Sequence, residues 1–190
     1  MYSFSIGMCP EGFHPYAIKL QSRLGKKAIV DQRGISGEFT NSMIERLPII
    51  MKNATSTYGY KYNTVIILGG TNDLSGYQTE TANSIFSRLK ALYKIVSADG
   101  AKLLVVSIPE SRVPQPDYIQ LRHDVNKLIK EYYMKHQHEG VRYLDLETEI
   151  PYNATGLASS LWSFDGLHMT ALGYDNFGSL VFDSIRDWIR

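Results

Sequence analysis

Residues 63–73 read NTVIILGGTND, an apolar run from Val65 to Leu68 that ends in Gly69-Gly70. The run is rich in β-branched residues and no polar residue alternates through it. That pattern predicts a strand covered on both faces, as strands of parallel sheets are. The paired glycines let the backbone turn sharply where the strand ends. In a parallel sheet ligands bind beyond the carboxyl ends of the strands, so Thr71, Asn72 and Asp73 fall where chemistry is expected. The Asn72 carboxamide is a neutral N–H donor suited to a developing oxyanion. Taken alone, the same residues serve equally as a structural turn in which Asn72 and Asp73 bond nearby backbone.

Working outward, the same design recurs. KKAIVDQRG (residues 26–34) is a short strand, over Ala28–Asp31, running into a glycine turn. AKLLVVSIP (101–109) and VRYLDL (141–146) are further apolar runs. Between them lie segments with helical spacing. Ile85, Leu89, Leu92 and Val96 mark one over residues 79–98, and Val125, Leu128 and Tyr132 mark another over 118–136. Phe177, Val181, Ile185 and Trp188 mark a third over 170–189, with Thr170 placed to cap its start. Residues 15–24 and 38–51 also read as helices. Strand–helix–strand alternation implies an α/β sandwich with a mainly parallel sheet. At 190 residues the chain fits one domain over 1–190 with a sizeable core. One irregularity remains: no strand precedes the first helical segment.

Composition removes several classes of function. The hydrophobic fraction is 44%, the charged fraction 21% and the formal net charge +1, which gives no electrostatic case for nucleic acid or an anionic membrane. The single cysteine, Cys9, excludes an internal disulfide and offers no cysteine metal cluster. No apolar run approaches the roughly 20 residues that span a bilayer. The opening residues lack the pattern of a signal peptide, so a cytoplasmic location is expected. The sequons at Asn53 and Asn153 carry little weight without export. No H-E-x-x-H, P-loop, G-x-G-x-x-G or G-x-S-x-G occurs, so the zincin, nucleotide, dinucleotide and nucleophile-elbow readings fall away. His14, His123, His136 and His138 lie in polar turns or on polar helix faces and read as solvated residues.

Two further places draw attention. Gly34, after the first apolar run, offers a backbone N–H or simply turns the chain into the next helix. In FDGLH (residues 164–168), Asp165 precedes His168 by one tight turn across Gly166. The carboxylate can fold back to hold the imidazole Nδ1–H, which fixes the tautomer and leaves Nε2 as a base. An Asx turn beside a surface histidine would give the same spacing.

Taken together and in order, Gly34, then Gly70-Thr71-Asn72-Asp73, then Asp165-x-x-His168 resemble the second, third and fifth motif blocks of the SGNH (GDSL-type) hydrolases. The resemblance covers nearly the whole chain. It implies a flavodoxin-like three-layer α/β/α sandwich with strand order 2-1-3-4-5, and cofactor-free hydrolysis of carboxylic esters through a Ser-His-Asp triad. His168 would then be the general base and Asp165 its orienter. The Gly34 N–H and the Asn72 side chain would be oxyanion donors alongside the N–H of the nucleophile. The partner would be a small-molecule ester, with no metal and no membrane span.

The family's first block carries the serine in a G-D-S-[LI]-T-x-G pattern before a helix beginning near P-Y-A, which HPYAIKLQSRL (14–24) matches. Counting back through the opening MYSFSIG, Gly7 takes the final glycine, Ser5 the threonine and Phe4 the leucine. Ser3 takes the place of the nucleophile. Met1 and Tyr2 stand where Gly and Asp belong, and the strand that should precede them is expected to be absent. That strand is central in the 2-1-3-4-5 order, and buried unpaired amides cost about 1–3 kcal/mol each. Another segment must then fill the gap, or its neighbours must pair directly, or the chain is an N-terminally truncated form of a longer enzyme. The reading is a serine-dependent ester hydrolase. The alternative is a catalytically impaired protein of the same fold that binds a ligand or partner through the same cleft.

Overall fold

The computed structural model describes residues 2–3, 8–9, 12–152 and 160–189, with side chains from His14 onward except that of Tyr58. Strand β1 (Tyr2–Ser3) precedes a small antiparallel pair, β2 (Met8–Cys9) and β3 (Gly12–Phe13), and then helix α1 (Tyr16–Leu24). The chain continues through β4 (Asp31–Gln32), α2 (Thr40–Tyr58), β5 (Thr64–Ile67) and α3 (Ala82–Ala98). After these come β6 (Lys102–Val106), α4 (Pro116–His136), β7 (Val141–Leu144), the short α5 (Leu146–Glu149) and α6 (Ala171–Ile185).

The main sheet is wholly parallel, in the order β4-β1-β5-β6-β7. Counting only its own strands, that is 2-1-3-4-5. The expected absence of the first strand is corrected here: Tyr2 and Ser3 are that strand. Tyr2 lies opposite Asp31 on one side and Val65 on the other, and Ser3 lies opposite Gln32 and Ile66. Two residues are enough to join the ladders because a side chain supplies partners nearby. From α1, the Gln21 Oε1 accepts from the Val30 N–H at 2.8 Å, and its Nε2 donates to the Ala28 carbonyl at 2.9 Å. The same short partner explains why β4 covers only Asp31–Gln32 rather than the expected residues 28–31.

Sheet alternation divides the core in two. Val65, Ile67, Leu103 and Val105 pack with the α2, α3 and α4 side, including Leu47, Leu89 and Val125. Ile66, Leu104, Val106 and Leu144 pack on the other face with Leu20 of α1 and Phe177 and Val181 of α6. Every residue of β5 is buried, which is why its sequence shows no polar alternation. Helix α2 runs past the expected end at Met51, through the first sequon to Tyr58, because Met51 and Ala54 are buried in the core and packing outweighs weak local propensity. The second sequon, at Asn153, lies outside the described residues.

Helices α1 and α6 meet closely. The Tyr16 and Phe177 rings stand 4.1 Å apart between centroids, and a Cβ on Gly178 would fall 2.5 Å from the Tyr16 carbonyl oxygen. Gly178→Ala is therefore expected to force the helices apart and cost about 1–3 kcal/mol, read as a lower urea midpoint with an unchanged slope.

Candidate active site

The segment carrying Asp165 and His168 is a loop closed on itself. Ser163 N–H donates to the His168 carbonyl at 2.8 Å, Thr170 N–H to Leu161 at 2.9 Å and Gly166 N–H to Ser163 at 3.0 Å. Inside it, Asp165 does two things with one carboxylate. Its Oδ1 accepts from the backbone N–H groups of Leu167 and His168, both at 2.9 Å, while Oδ2 lies 2.8 Å from His168 Nδ1. The carboxylate thus folds the turn and orients the imidazole with Nδ1–H toward it, leaving Nε2 as the basic nitrogen. Partial burial works to raise the Asp165 pKa. The His168 and Leu167 N–H groups and the imidazole outweigh it and hold the carboxyl below its ordinary range.

Gly166 is required by this turn. Its φ is +67°, and a Cβ there would lie 2.3 Å from the Arg112 Cβ. Arg112, from the loop after β6, donates its N–H to the Gly166 carbonyl at 2.7 Å and its Nη1 to the Phe164 carbonyl at 3.3 Å. Thr170 caps α6 as expected, its hydroxyl accepting from Gly173 N–H at 3.2 Å.

Asn72 and His168 line one cavity of about 140 Å³ beyond the carboxyl ends of the strands. Asn72 Nδ2 donates to the Glu38 carbonyl at 2.9 Å, which fixes the carboxamide plane while using one of its two N–H groups. Gly34 follows β4 at its carboxyl end. Ile35, Ser36, Gly37 and Glu38, immediately after it, line the cavity, whereas Gly34 itself does not. Ser3 ends β1 between Gln32 and Ile66, so its backbone lies at the carboxyl edge of the sheet. Its side chain, and Ser5 and Gly7 entirely, lie outside what the structure describes.

A family model described as the GDSL-like lipase/acylhydrolase family matches residues 3–175. The chain belongs to this family. Membership places it among the ester-hydrolysing enzymes. Three solved structures show the same fold. A lipase/acylhydrolase from Enterococcus faecalis is 20% identical with a TM-score of 0.73, over 100% of this chain and 94% of that one. The psychrotrophic esterase EstA from Pseudoalteromonas sp. is 18% identical with a TM-score of 0.72, over 98% and 96%. An aryl esterase from M. smegmatis is 23% identical with a TM-score of 0.69, over 92% and 86%. Among curated proteins, none matches the sequence at a significant level. No helix among the described residues is long and apolar enough to cross a membrane, and none of their His, Cys, Asp and Glu residues group in a way that could hold a metal ion.

The structure of this family member adds residues that sequence reasoning passed over. Asp73 does not bond local backbone as a turn residue would. It is 3% exposed and reaches to α2, accepting from Thr40 N–H at 3.1 Å and from the Thr40 hydroxyl at 2.6 Å. It thereby caps a helix whose own N-cap, Phe39, provides no side-chain bond. Arg88 of α3 completes the cluster, with Nη2 3.1 Å from Asp73 and 2.9 Å from Glu80, and Nε donating to the Thr40 hydroxyl at 2.8 Å. A second cluster holds the end of β6. Asn126 accepts from Ile108 N–H at 2.7 Å and donates to the Ile108 carbonyl at 2.8 Å, also donating to Glu147 at 2.8 Å. Buried Arg122 donates to the other Glu147 oxygen at 3.0 Å. The only sequence signal for either cluster is a charged residue on an otherwise apolar helix face.

Proposed function

We propose that the protein is a serine esterase that works through an acyl-enzyme. Ser3 Oγ attacks the ester carbonyl carbon while His168 Nε2 takes the hydroxyl proton, and Asp165 steadies the imidazolium that forms. The carbonyl π electrons move onto oxygen, and the oxyanion is met by the second N–H of Asn72 and by the Ser3 backbone N–H; Gly34, which stands outside the cavity lining, is left out of this role. Collapse expels the alcohol, which receives the proton from His168. Water, deprotonated by His168, then attacks the acyl-Ser3 ester, and a second collapse releases the acid and restores the serine.

The observation that carries this reading is the Asp165–His168 contact at 2.8 Å, which leaves a basic nitrogen on the residue that shares a cavity with Asn72. The position of Ser3 at the carboxyl end of the interior strand β1 supports its assignment as nucleophile. Hydrolysis of p-nitrophenyl acetate by purified protein tests the reading. Asn72→Ala is expected to lower kcat by about 10²–10³-fold, as loss of one oxyanion donor does elsewhere, with a smaller change in KM. A folded wild type that turns over no simple ester would overturn the proposal.

A further inference from the structure

The shape and charge of the cavity point to a substrate class, given the esterase reading on which this step rests. We infer that the site takes uncharged esters that join a short acyl group to an apolar alcohol. The space within its walls is about 140 Å³, close to the ~150 Å³ that holds one benzene ring in an engineered cavity. Pockets that enclose drug-sized ligands run to about 300–1,000 Å³.

Among the described residues, the buried side of the space is closed. Its inner wall is made of Met43, Leu146, Met169 and Phe177, each between 0% and 4% exposed and each packed into a core cluster. Behind the Gly69-Gly70 turn the core is shut as well. A Cβ on Gly69 would meet the Met43 sulfur at 3.0 Å, and one on Gly70 would meet Ile108 at 2.8 Å. Close-packed interiors do not yield to a longer chain without strain.

The mouth differs. Ile35 and Leu167 both line the cavity, yet are 53% and 41% exposed. They offer apolar surface to whatever part of the substrate projects outward, and covering it is favourable for an apolar leaving group. Charge narrows the class further. The described lining residues include no lysine or arginine, and the acidic one, Glu38, is held by Arg46 through two bonds of 2.8 and 2.6 Å. A phosphate-bearing alcohol would find no countercharge there, and burying its anion unpaired is costly.

Chain-length and leaving-group series on the purified full chain test this. With the leaving group fixed as p-nitrophenol, kcat/KM is expected to fall by about tenfold or more from butyrate to octanoate. With the acyl group fixed as acetyl, Ile35→Ser and Leu167→Ser are each expected to lower the ratio of kcat/KM for 1-naphthyl acetate over ethyl acetate several-fold relative to wild type. Acetyl-coenzyme A is expected to be a poor substrate in all cases. Octanoate preferred over butyrate, or ratios unmoved in both variants, would overturn this inference and leave the esterase reading standing. Failure of the folded protein to turn over any of these compounds would overturn both.

Discussion

Replacing His168 with alanine is expected to lower kcat/KM for p-nitrophenyl acetate by on the order of 10⁴-fold or more, with the protein still folded. Truncation removes the imidazole that shares a cavity with Asn72, but it opens no core cavity because the side chain is 38% exposed. Asp165→Asn separates orientation from basicity. The amide keeps an oxygen for the Leu167 and His168 N–H groups but turns an NH₂ toward Nδ1. The imidazole must then carry its proton on Nε2, and the base is lost. A comparable rate loss is expected, with a modestly lower melting temperature near neutral pH because the stabilised carboxylate is gone.

The pH dependence follows from the depressed pKa of Asp165. A carboxylate held below its unfolded value stabilises the fold fully above that value, 3.8, and loses the contribution as pH falls through the lower folded pKa. The difference in melting temperature between wild type and Asp165→Asn should therefore stay constant from pH 8 to pH 5, and shrink only in strong acid. A difference that disappears between pH 7 and pH 5 would contradict this account of the loop.

Asp73→Ala is expected to have the largest effect on stability, a loss of about 3–5 kcal/mol. The substitution strips the cap from Thr40 and leaves the Arg88 guanidinium, whose side chain is 17% exposed, with Glu80 as its remaining carboxylate. Urea unfolding followed by circular dichroism reads the loss directly. Because the partners act as one unit, Asp73→Ala combined with Arg88→Met should cost clearly less than the sum of the two single changes. Additive losses would mean that the contacts are incidental. In the same variant, Asn72 loses the anchor next to it, so kcat should fall even at temperatures where the protein remains folded.

How far the sequence leads depends on the range of the interaction. The run at 65–68 carries its own evidence, since burial on both faces leaves no polar residue in it. The Asp165–His168 pair is legible too, because residues three apart across a glycine are joined by one local turn. Strand β1 is not legible. Two residues have no periodicity, and Tyr2 and Ser3 are a strand only because β4 and β5 stand on either side of them. The partners that Gln21 supplies to Ala28 and Val30 are likewise invisible in the spacing of side chains. Asp73 shows the same limit at the site. An aspartate after a strand reads as a local turn former, whereas its partner Thr40 lies at the start of another helix. Helix α2 passes Met51 because the core, not the residues NATSTY, decides where it ends.

The proposed chemistry requires Ser3 to be held against His168, and active-site labelling tests that most directly. Wild-type protein treated with a fluorophosphonate probe and mapped by peptide mass spectrometry should carry one adduct, on Ser3. The adduct should be absent in Ser3→Ala and strongly reduced in His168→Ala. An adduct that persists in Ser3→Ala, or none on folded wild type, would contradict the assignment of the nucleophile.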